Sequence, residues 1–300
     1  MQIRDLRPMA VGEVLDRSFQ VLRGHVATLF VTAVLGTAPL LLVYLSAGMP
    51  YGAAIPEEQF AAVGGVMLLM VILFLVTITV SWAALTRQVD QAVAGSTVSV
   101  GDGLRQGLRA FPRVIVLAIL VYLIGVALAV PAAGIAAVVG GVLGMFLGTE
   151  TVAVVLTVSA MAAAFVAVAL LWAPMAFLSL PALIAEGLGP LRALRRAHEL
   201  GRGGRVRIMG TAIVAWIVMM LPAFGLPFLF GFGMALWTPE GAGTVPATQL
   251  YLYQAVSFLV GGLTTPFLVA VMVFTYYDRR VRREGFDVEL ASESIAQNVP

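Results

Sequence analysis

The densest run of side chains that could bind an ion or a partner lies between Tyr276 and Leu290, directly after a long apolar stretch. It holds two tyrosines, four arginines and four acids. Arginine binds carboxylate and phosphate groups through paired hydrogen bonds, and tyrosine favours the headgroup layer of a membrane. The run is therefore either an anchor that also holds anionic lipid, or a set of acids that pair with neighbouring or distant arginines. The residues singled out here are Asp278, Arg279, Arg282, Arg283 and Glu284.

Arginine supplies all 18 basic residues, because the chain has no lysine. The arginines form four clusters, which long apolar stretches separate. The third cluster begins on an amphipathic stretch, and its Arg192, Arg195 and Arg196 are further candidates for contact with lipid or a partner. The clusters cover residues 4–23, 87–113, 192–207 and 279–283.

Motifs for catalysis are missing from the sequence. The chain has no cysteine, which excludes thiolate metal sites and cysteine nucleophiles. Its only histidines, His25 and His198, lie far apart in the sequence, and two histidines alone do not make a zinc site. No ionisable side chain lies inside a predicted span, whereas proton relays and voltage sensors require one. We therefore predict a protein that is not an enzyme and uses no cofactor and no metal.

The elements that position these residues are long apolar stretches, which predict a membrane protein. Charged residues make up 11% of the chain and the mean hydropathy is +0.99, whereas a soluble domain carries about 25% charged residues. A spanning helix needs about 20 apolar residues, so we predict an all-α bundle of six transmembrane helices. Because arginine is retained in cytoplasmic loops, both termini are predicted to be cytoplasmic. The predicted spans are 26–48, 61–86, 114–137, 157–183, 208–235 and 251–277.

The segment 114–186 permits two interpretations. It contains two uncharged stretches of about 35 residues, each longer than a bilayer core of about 30 Å requires. Two long, tilted spans are favoured over four short ones, because four would leave almost no residues for turns. Prolines inside the spans remove helix hydrogen bonds, so we expect kinked helices. These prolines are Pro39, Pro131, Pro174, Pro181, Pro222, Pro227 and Pro266.

Small residues recur at every fourth position from Ala132 to Gly148. Such a ridge lets two helix backbones approach closely in lipid. The favoured contact is with another helix of the same chain, and the alternative is a dimer contact. The residues predicted to pack helices are Ala136, Gly140, Gly144 and Gly148.

Three amphipathic stretches, 11–22, 100–111 and 188–200, each precede a pair of spans. Helices of this kind lie in the membrane interface. The first begins Val-Gly-Glu-Val-Leu and the second Val-Gly-Asp-Gly-Leu, and the third has a similar layout. This arrangement suggests a threefold internal repeat, although chance matches in a chain with 31 glycines would explain it equally well.

The domain prediction follows from this layout. We expect one membrane domain, 1–290, followed by a disordered cytoplasmic tail, 291–300. If the repeat exists, its units are 1–95, 96–187 and 188–290.

Three segments of the chain resemble a known family. Arg7–Phe19, Glu186–Ala197 and Tyr276–Asp287 are similar to motifs of bacterial multi-span proteins that resemble the membrane domain of glycerophosphoryl diester phosphodiesterase. The resemblance implies a multi-pass protein of the bacterial cytoplasmic membrane. The family label comes from fusions to a catalytic barrel, for which the spans and connecting helices leave no room. The phosphodiesterase activity is therefore not expected here.

These observations favour a non-catalytic integral membrane protein, an accessory or scaffold protein that engages lipid at its cytoplasmic face. The expected partners are the lipid bilayer, anionic phospholipid, and a membrane or cytoplasmic protein. Nucleic acid is not expected, because membrane topology alone explains the basic face. The alternative is a transporter or channel for an apolar or amphipathic, lipid-like solute, since broken helices also build transporter sites.

Overall fold

The computed structural model describes residues 7–47, 60–147, 150–237 and 247–285. Within these ranges every regular element is an α-helix, which confirms the all-α prediction. The predicted tail, 291–300, and Gly148 of the small-residue ridge lie outside the described residues. The described helices are α1 (Val11–Gly24), α2 (Val26–Ala47), α3 (Phe60–Val93), α4 (Val100–Leu147), α5 (Glu150–Ala185), α6 (Pro190–Gly201), α7 (Arg205–Trp237) and α8 (Ala247–Glu284).

Five of these helices are long and apolar enough to cross a membrane, and a sixth span arises if α1 and α2, which meet at 87°, count together. The predicted segment 114–186 is occupied by α4 and α5, which have 48 and 36 residues. Both run without a break through the described residues, so this segment holds two long helices rather than four short ones. The helices are compatible with the predicted multi-pass membrane protein.

Two of the three amphipathic stretches form separate helices, α1 and α6. Glycine explains both ends: α1 stops at Gly24, and α6 is followed by Gly203, whose φ of +74° suits glycine. The second stretch instead runs directly into the span as the first turns of α4. No glycine lies between Gly107 and Gly125, so the sequence has no residue there that would end the helix. Pro112 lies inside α4 and does not interrupt it.

The three amphipathic stretches bury the same face of their helices. In α1, α4 and α6 the fourth, eighth and eleventh residues are buried, a spacing that marks one side of a helix. Some of the larger apolar residues of these stretches are not buried: the side chain of Phe19 is 48% exposed and that of Leu108 is 62% exposed. The buried positions are Val14, Ser18 and Val21 in α1, Gly103, Gly107 and Ala110 in α4, and Ala193, Ala197 and Leu200 in α6.

The best-packed part of the bundle is the end at which the four arginine clusters lie, called here the basic end. Toward the other end the helices expose large apolar side chains such as Ile135, Phe165 and Leu221, which suits contact with lipid chains. Buried apolar residues at the basic end include Leu29 of α2, Leu85 of α3, Val114 of α4, Leu178 of α5, Ile208 of α7 and Phe274 of α8.

Helix α8 is the centre of the basic end. It contacts α1, α2, α3, α5, α6 and α7. From Val269 to Phe274 every residue of α8 is buried. The last turns of α8, which carry the charged run, therefore emerge from the middle of the bundle.

Candidate functional site

The candidate site is a network of polar side chains around the last turns of α8, from Tyr276 to Glu284. It is surrounded by the N-terminal segment before α1, the end of α3, the residues between α5 and α6, and the loop between α6 and α7. Each of these segments supplies a partner to α8.

Asp278 is only 2% exposed and holds the N-terminal segment against α8. Its Oδ1 accepts a hydrogen bond from the backbone N of Met9 at 2.8 Å. Arg282 Nε donates to both carboxylate oxygens, at 2.9 and 3.0 Å, and Arg207 Nε lies 3.5 Å from Oδ2. The carbonyl of Met9 accepts hydrogen bonds from Arg282 Nη2, at 2.9 Å, and from Arg207. One carboxylate and two guanidinium groups thus satisfy both backbone groups of the buried Met9.

Arg279 closes the C-terminal end of α6. Its Nε donates to the carbonyl of Leu200 at 3.0 Å and its Nη2 donates to the carbonyl of Arg202 at 3.1 Å. The last carbonyls of a helix have no partner within the helix, so these bonds satisfy groups that burial would otherwise leave unpaired. A Cβ at Gly204 would overlap the guanidinium of Arg279. The glycine therefore makes room for the arginine.

Glu186 and Glu284 share Arg196 of α6. Arg196 Nε donates to Glu186 at 2.9 Å, and its Nη2 donates to Glu284 at 2.8 Å. Burial lowers the pKa of Arg196, but the hydrogen bonds to Glu284 and Glu186 outweigh it and raise that pKa above its usual value. Tyr276 donates its hydroxyl to Glu186, and Arg280 Nε lies 3.3 Å from Glu284. These contacts join α6 to α8.

Tyr277 connects α8 to α3 and α4. Its hydroxyl donates to Asp90 Oδ1 at 2.5 Å. Arg87 Nη1 donates to Asp90 Oδ2 at 2.9 Å, and Arg87 Nε donates to Gln106 of α4 at 2.8 Å. Four consecutive residues of α8, 276–279, thus bind four different parts of the chain.

The structure brings together six of the candidate residues from the charged run and the third arginine cluster. Arg192 and Arg195 are the exceptions, because both are exposed on α6 and form no ion pair with the described residues. The six that meet in the network are Arg196, Asp278, Arg279, Arg282, Arg283 and Glu284.

Sequence reasoning missed three essential partners, Met9, Asp90 and Glu186. Asp90 and Glu186 carried a usable signal, since each is an acid just after a predicted span and thus near the level of the tyrosines. Met9 carried none, because its backbone and not its side chain makes the contact with Asp278.

The small-residue ridge lies between α4 and α5. A Cβ at Gly140 would overlap Thr157, and one at Gly144 would overlap Ala153. Ala136 is buried on the same side of α4. These residues therefore pack two helices of one chain at close distance.

Among the described residues no group of three or more His, Asp or Glu side chains is arranged to hold a metal ion. No family model matches the chain, and neither a curated protein nor a solved structure matches it. The function must therefore be argued from the network and the surfaces around it.

Proposed function

We propose that this chain is a non-catalytic integral membrane protein, a scaffold or accessory subunit that engages anionic lipid or a protein partner at its basic end. The observation that carries the proposal is the distribution of charge. Five acids at the basic end are used internally, in ion pairs with arginines of the same end. These acids are Glu13, Asp90, Glu186, Asp278 and Glu284.

Exposed arginines are left over once these pairs have formed. Eight of them form no ion pair with any described residue, against three exposed acids that also form none, Asp16, Asp102 and Glu199, so the surface of the basic end carries an excess of positive charge. An anionic surface attracts such residues by about 1 kcal/mol each. These arginines are Arg23, Arg105, Arg109, Arg113, Arg192, Arg195, Arg202 and Arg283.

The proposed setting is the bacterial cytoplasmic membrane, with six spans bent at their prolines and both termini cytoplasmic. The shared position of all four arginine clusters supports this orientation, because arginine is costly to translocate. The three segments that carry the family resemblance meet in the network: Met9 comes from the first, Glu186 and Arg196 from the second, and Asp278 from the third. We retain the resemblance as part of the proposal.

We also propose that the chain is a threefold repeat of one amphipathic helix and two spans. The support is the burial of the fourth, eighth and eleventh residues in α1, α4 and α6. These helices begin at Val11, Val100 and Pro190, which are 89 and 90 residues apart by subtraction. The similar interval and the shared buried face together are more specific evidence for a repeat than the matching glycines are.

The test of the proposed function is to extract the full chain in polymer nanodiscs that retain native lipid. The anionic lipid fraction of these discs is compared with that of the bulk membrane, and crosslinking in intact cells is used to capture partners. We expect enrichment of anionic lipid or one reproducible partner. Discs with the bulk lipid composition, together with no crosslinked partner, would contradict the proposal.

A groove between α4 and α5 favours the second candidate, transport of a lipid-like solute. It has a volume of about 500 Å³ and is lined almost wholly by apolar side chains, with Tyr122 and Trp172 among them. Trp172 Nε1 donates to the carbonyl of Val121 at 2.8 Å, which leaves the groove few polar groups. Movement of fluorescent lipid between leaflets of proteoliposomes, blocked by Ala133→Trp in the groove, would support this candidate; no movement above protein-free vesicles would exclude it.

A further inference from the structure

A basic pocket lies beside the network, between the N-terminal segment, the α6–α7 loop and the last turns of α8. Its volume is about 860 Å³. Pro8, Gly203, Gly204 and Val281 line it, and the remaining five of its nine lining residues are all arginines. These are Arg202, Arg207, Arg279, Arg282 and Arg283.

The protein neutralises only part of this charge. Asp278 forms ion pairs with Arg282, at 2.9 Å, and with Arg207, at 3.5 Å. No carboxylate of the described residues lies within 4.0 Å of the other three guanidinium groups. Five arginines less one carboxylate leave an excess of four positive charges around one pocket.

Several arginines of the pocket are fixed in place by the fold. Arg279 is 6% exposed, and its Nε and Nη2 donate to the carbonyls of Leu200 and Arg202. Arg283 Nη1 donates to the carbonyl of Arg202 at 2.6 Å. A second basic pocket, which has a volume of about 460 Å³, includes Glu186 in its lining along with Arg87. The first pocket, by contrast, has no acid among its lining residues.

The position of the pocket along α8 indicates which anion could neutralise its excess positive charge. The pocket begins directly after Tyr276 and Tyr277, which suit the headgroup layer of the membrane. Phosphate is the anion of that layer, and the arginine fork binds it through paired, charge-assisted hydrogen bonds.

We propose that this pocket is a phosphate-binding site, which takes the headgroup of an anionic phospholipid or a soluble phosphate anion. The proposal deepens the proposed function and rests on it, because it names the ligand class of the basic end. The site is assembled from the N-terminal segment, the α6–α7 loop and α8, so ligand binding would strengthen their contact.

The test compares two double variants of the full chain in detergent. Arg202→Gln with Arg283→Gln removes two pocket charges, and Arg192→Gln with Arg195→Gln removes two exposed charges of α6 outside the pocket. One arm measures binding of fluorescent phosphatidylglycerol by polarisation. The other arm measures the rise in melting temperature with inorganic phosphate, because a ligand of the folded state stabilises it. Arg202→Gln alone is included, since this guanidinium makes no hydrogen bond to the described residues.

We expect the pocket pair to weaken binding about 10- to 30-fold. Arg192 and Arg195 attract an extended anionic surface, which is absent in detergent, so the α6 pair should weaken binding of a single lipid or phosphate less than about threefold. Binding of the lipid alone assigns the site to a headgroup, and a pocket-dependent response to inorganic phosphate assigns it to a soluble anion. Equal losses from both pairs, or no binding of either probe by the parent protein, would overturn the proposal. Native nanodiscs that remain enriched in anionic lipid would then show that the proposed function stands without this pocket.

Discussion

At the scale of residues, Asp278 joins the N-terminal segment and α7 to α8. An acid that is 2% exposed has lost its hydration, and two arginines and a backbone amide take the place of the water around the Asp278 carboxylate. The net contribution of such a buried ion pair is small, but removing one partner leaves the others uncompensated. Removing this carboxylate should therefore reduce the stability of the protein by much more than the ion pair itself contributes.

Asp278→Ala should destabilise the protein strongly. We expect the free energy of unfolding to fall by about 3–5 kcal/mol, the cost of breaking a buried ion pair, because Arg207 and Arg282 lose their acid. Glu199→Ala is the matched control, since this acid is exposed on α6 and forms no ion pair with the described residues; it should change stability by about 0–1 kcal/mol. Melting of the detergent-solubilised chain measures both. Equal effects would mean that the charged run is only an anchor.

The sequence identified Asp278 as a candidate but did not identify Met9 as its partner. Acids and arginines within one run can be matched by helical spacing, as Asp278 and Arg282 are, four residues apart. Met9 lies 269 residues from Asp278 in the sequence and contributes a backbone group that every residue but proline has. Such a contact depends on the packing of the whole bundle, and no local pattern encodes it.

At the scale of elements, the loop between α6 and α7 shows how a glycine pair sets the position of an arginine. Gly203 has a φ of +74°, which turns the chain, and Gly204 lies against the guanidinium of Arg279. A methyl group at Gly204 would displace this guanidinium from the carbonyls of Leu200 and Arg202.

Gly204→Ala should therefore lower stability by about 1–3 kcal/mol, the cost of leaving buried polar groups unpaired. Gly210→Ala is the control, because a Cβ there meets nothing within 4 Å and alanine favours the helix by about 0.5–1 kcal/mol. Thermal melting of the two variants should shift in opposite directions. A loss of stability from both would indicate a general sensitivity to added bulk at this end.

The pair α4 and α5 allows a second comparison between neighbouring glycines. Gly144 lies against Ala153, whereas a Cβ at Gly141 meets nothing within 4 Å. Gly144→Leu should separate the two helices and lower the melting temperature, and Gly141→Leu should change it little. If Gly144→Leu instead melts normally but alters the mass measured by light scattering, the ridge serves a dimer contact.

The amphipathic stretches show where local prediction fails at this scale. Apolar runs were enough to locate the long helices, and amphipathic spacing was enough to locate α1 and α6. The close packing of α4 against α3 depends on a glycine, because a Cβ at Gly107 would lie 2.6 Å from the carbonyl oxygen of Val80 in α3. The buried face consists of Gly103, Gly107 and Ala110, a pattern that hydrophobic periodicity overlooks since glycine contributes little to it.

At the scale of the whole molecule, the chain is packed most tightly at the basic end. The described arginines, the ion-pair network and most of the buried apolar side chains among the described residues lie there. In the most apolar 18-residue window of α5, by contrast, no residue is buried. Toward the other end the described helices are thus packed less tightly. Both the proposed function and its alternative depend on which side of the membrane the basic end faces.

The orientation can be measured directly, because the chain has no cysteine and introduced thiols carry no background. Ala54→Cys, Thr149→Cys and Thr244→Cys should react with a membrane-impermeant maleimide on spheroplasts. Ser96→Cys, Arg195→Cys and Ser292→Cys should react only after the membrane is opened. Labelling of any of the second group on sealed spheroplasts would place arginine clusters outside, where no cytoplasmic partner could reach them. A failure confined to Thr149→Cys would instead affect only α4 and α5, and would leave the network and its proposed phosphate site on the cytoplasmic side.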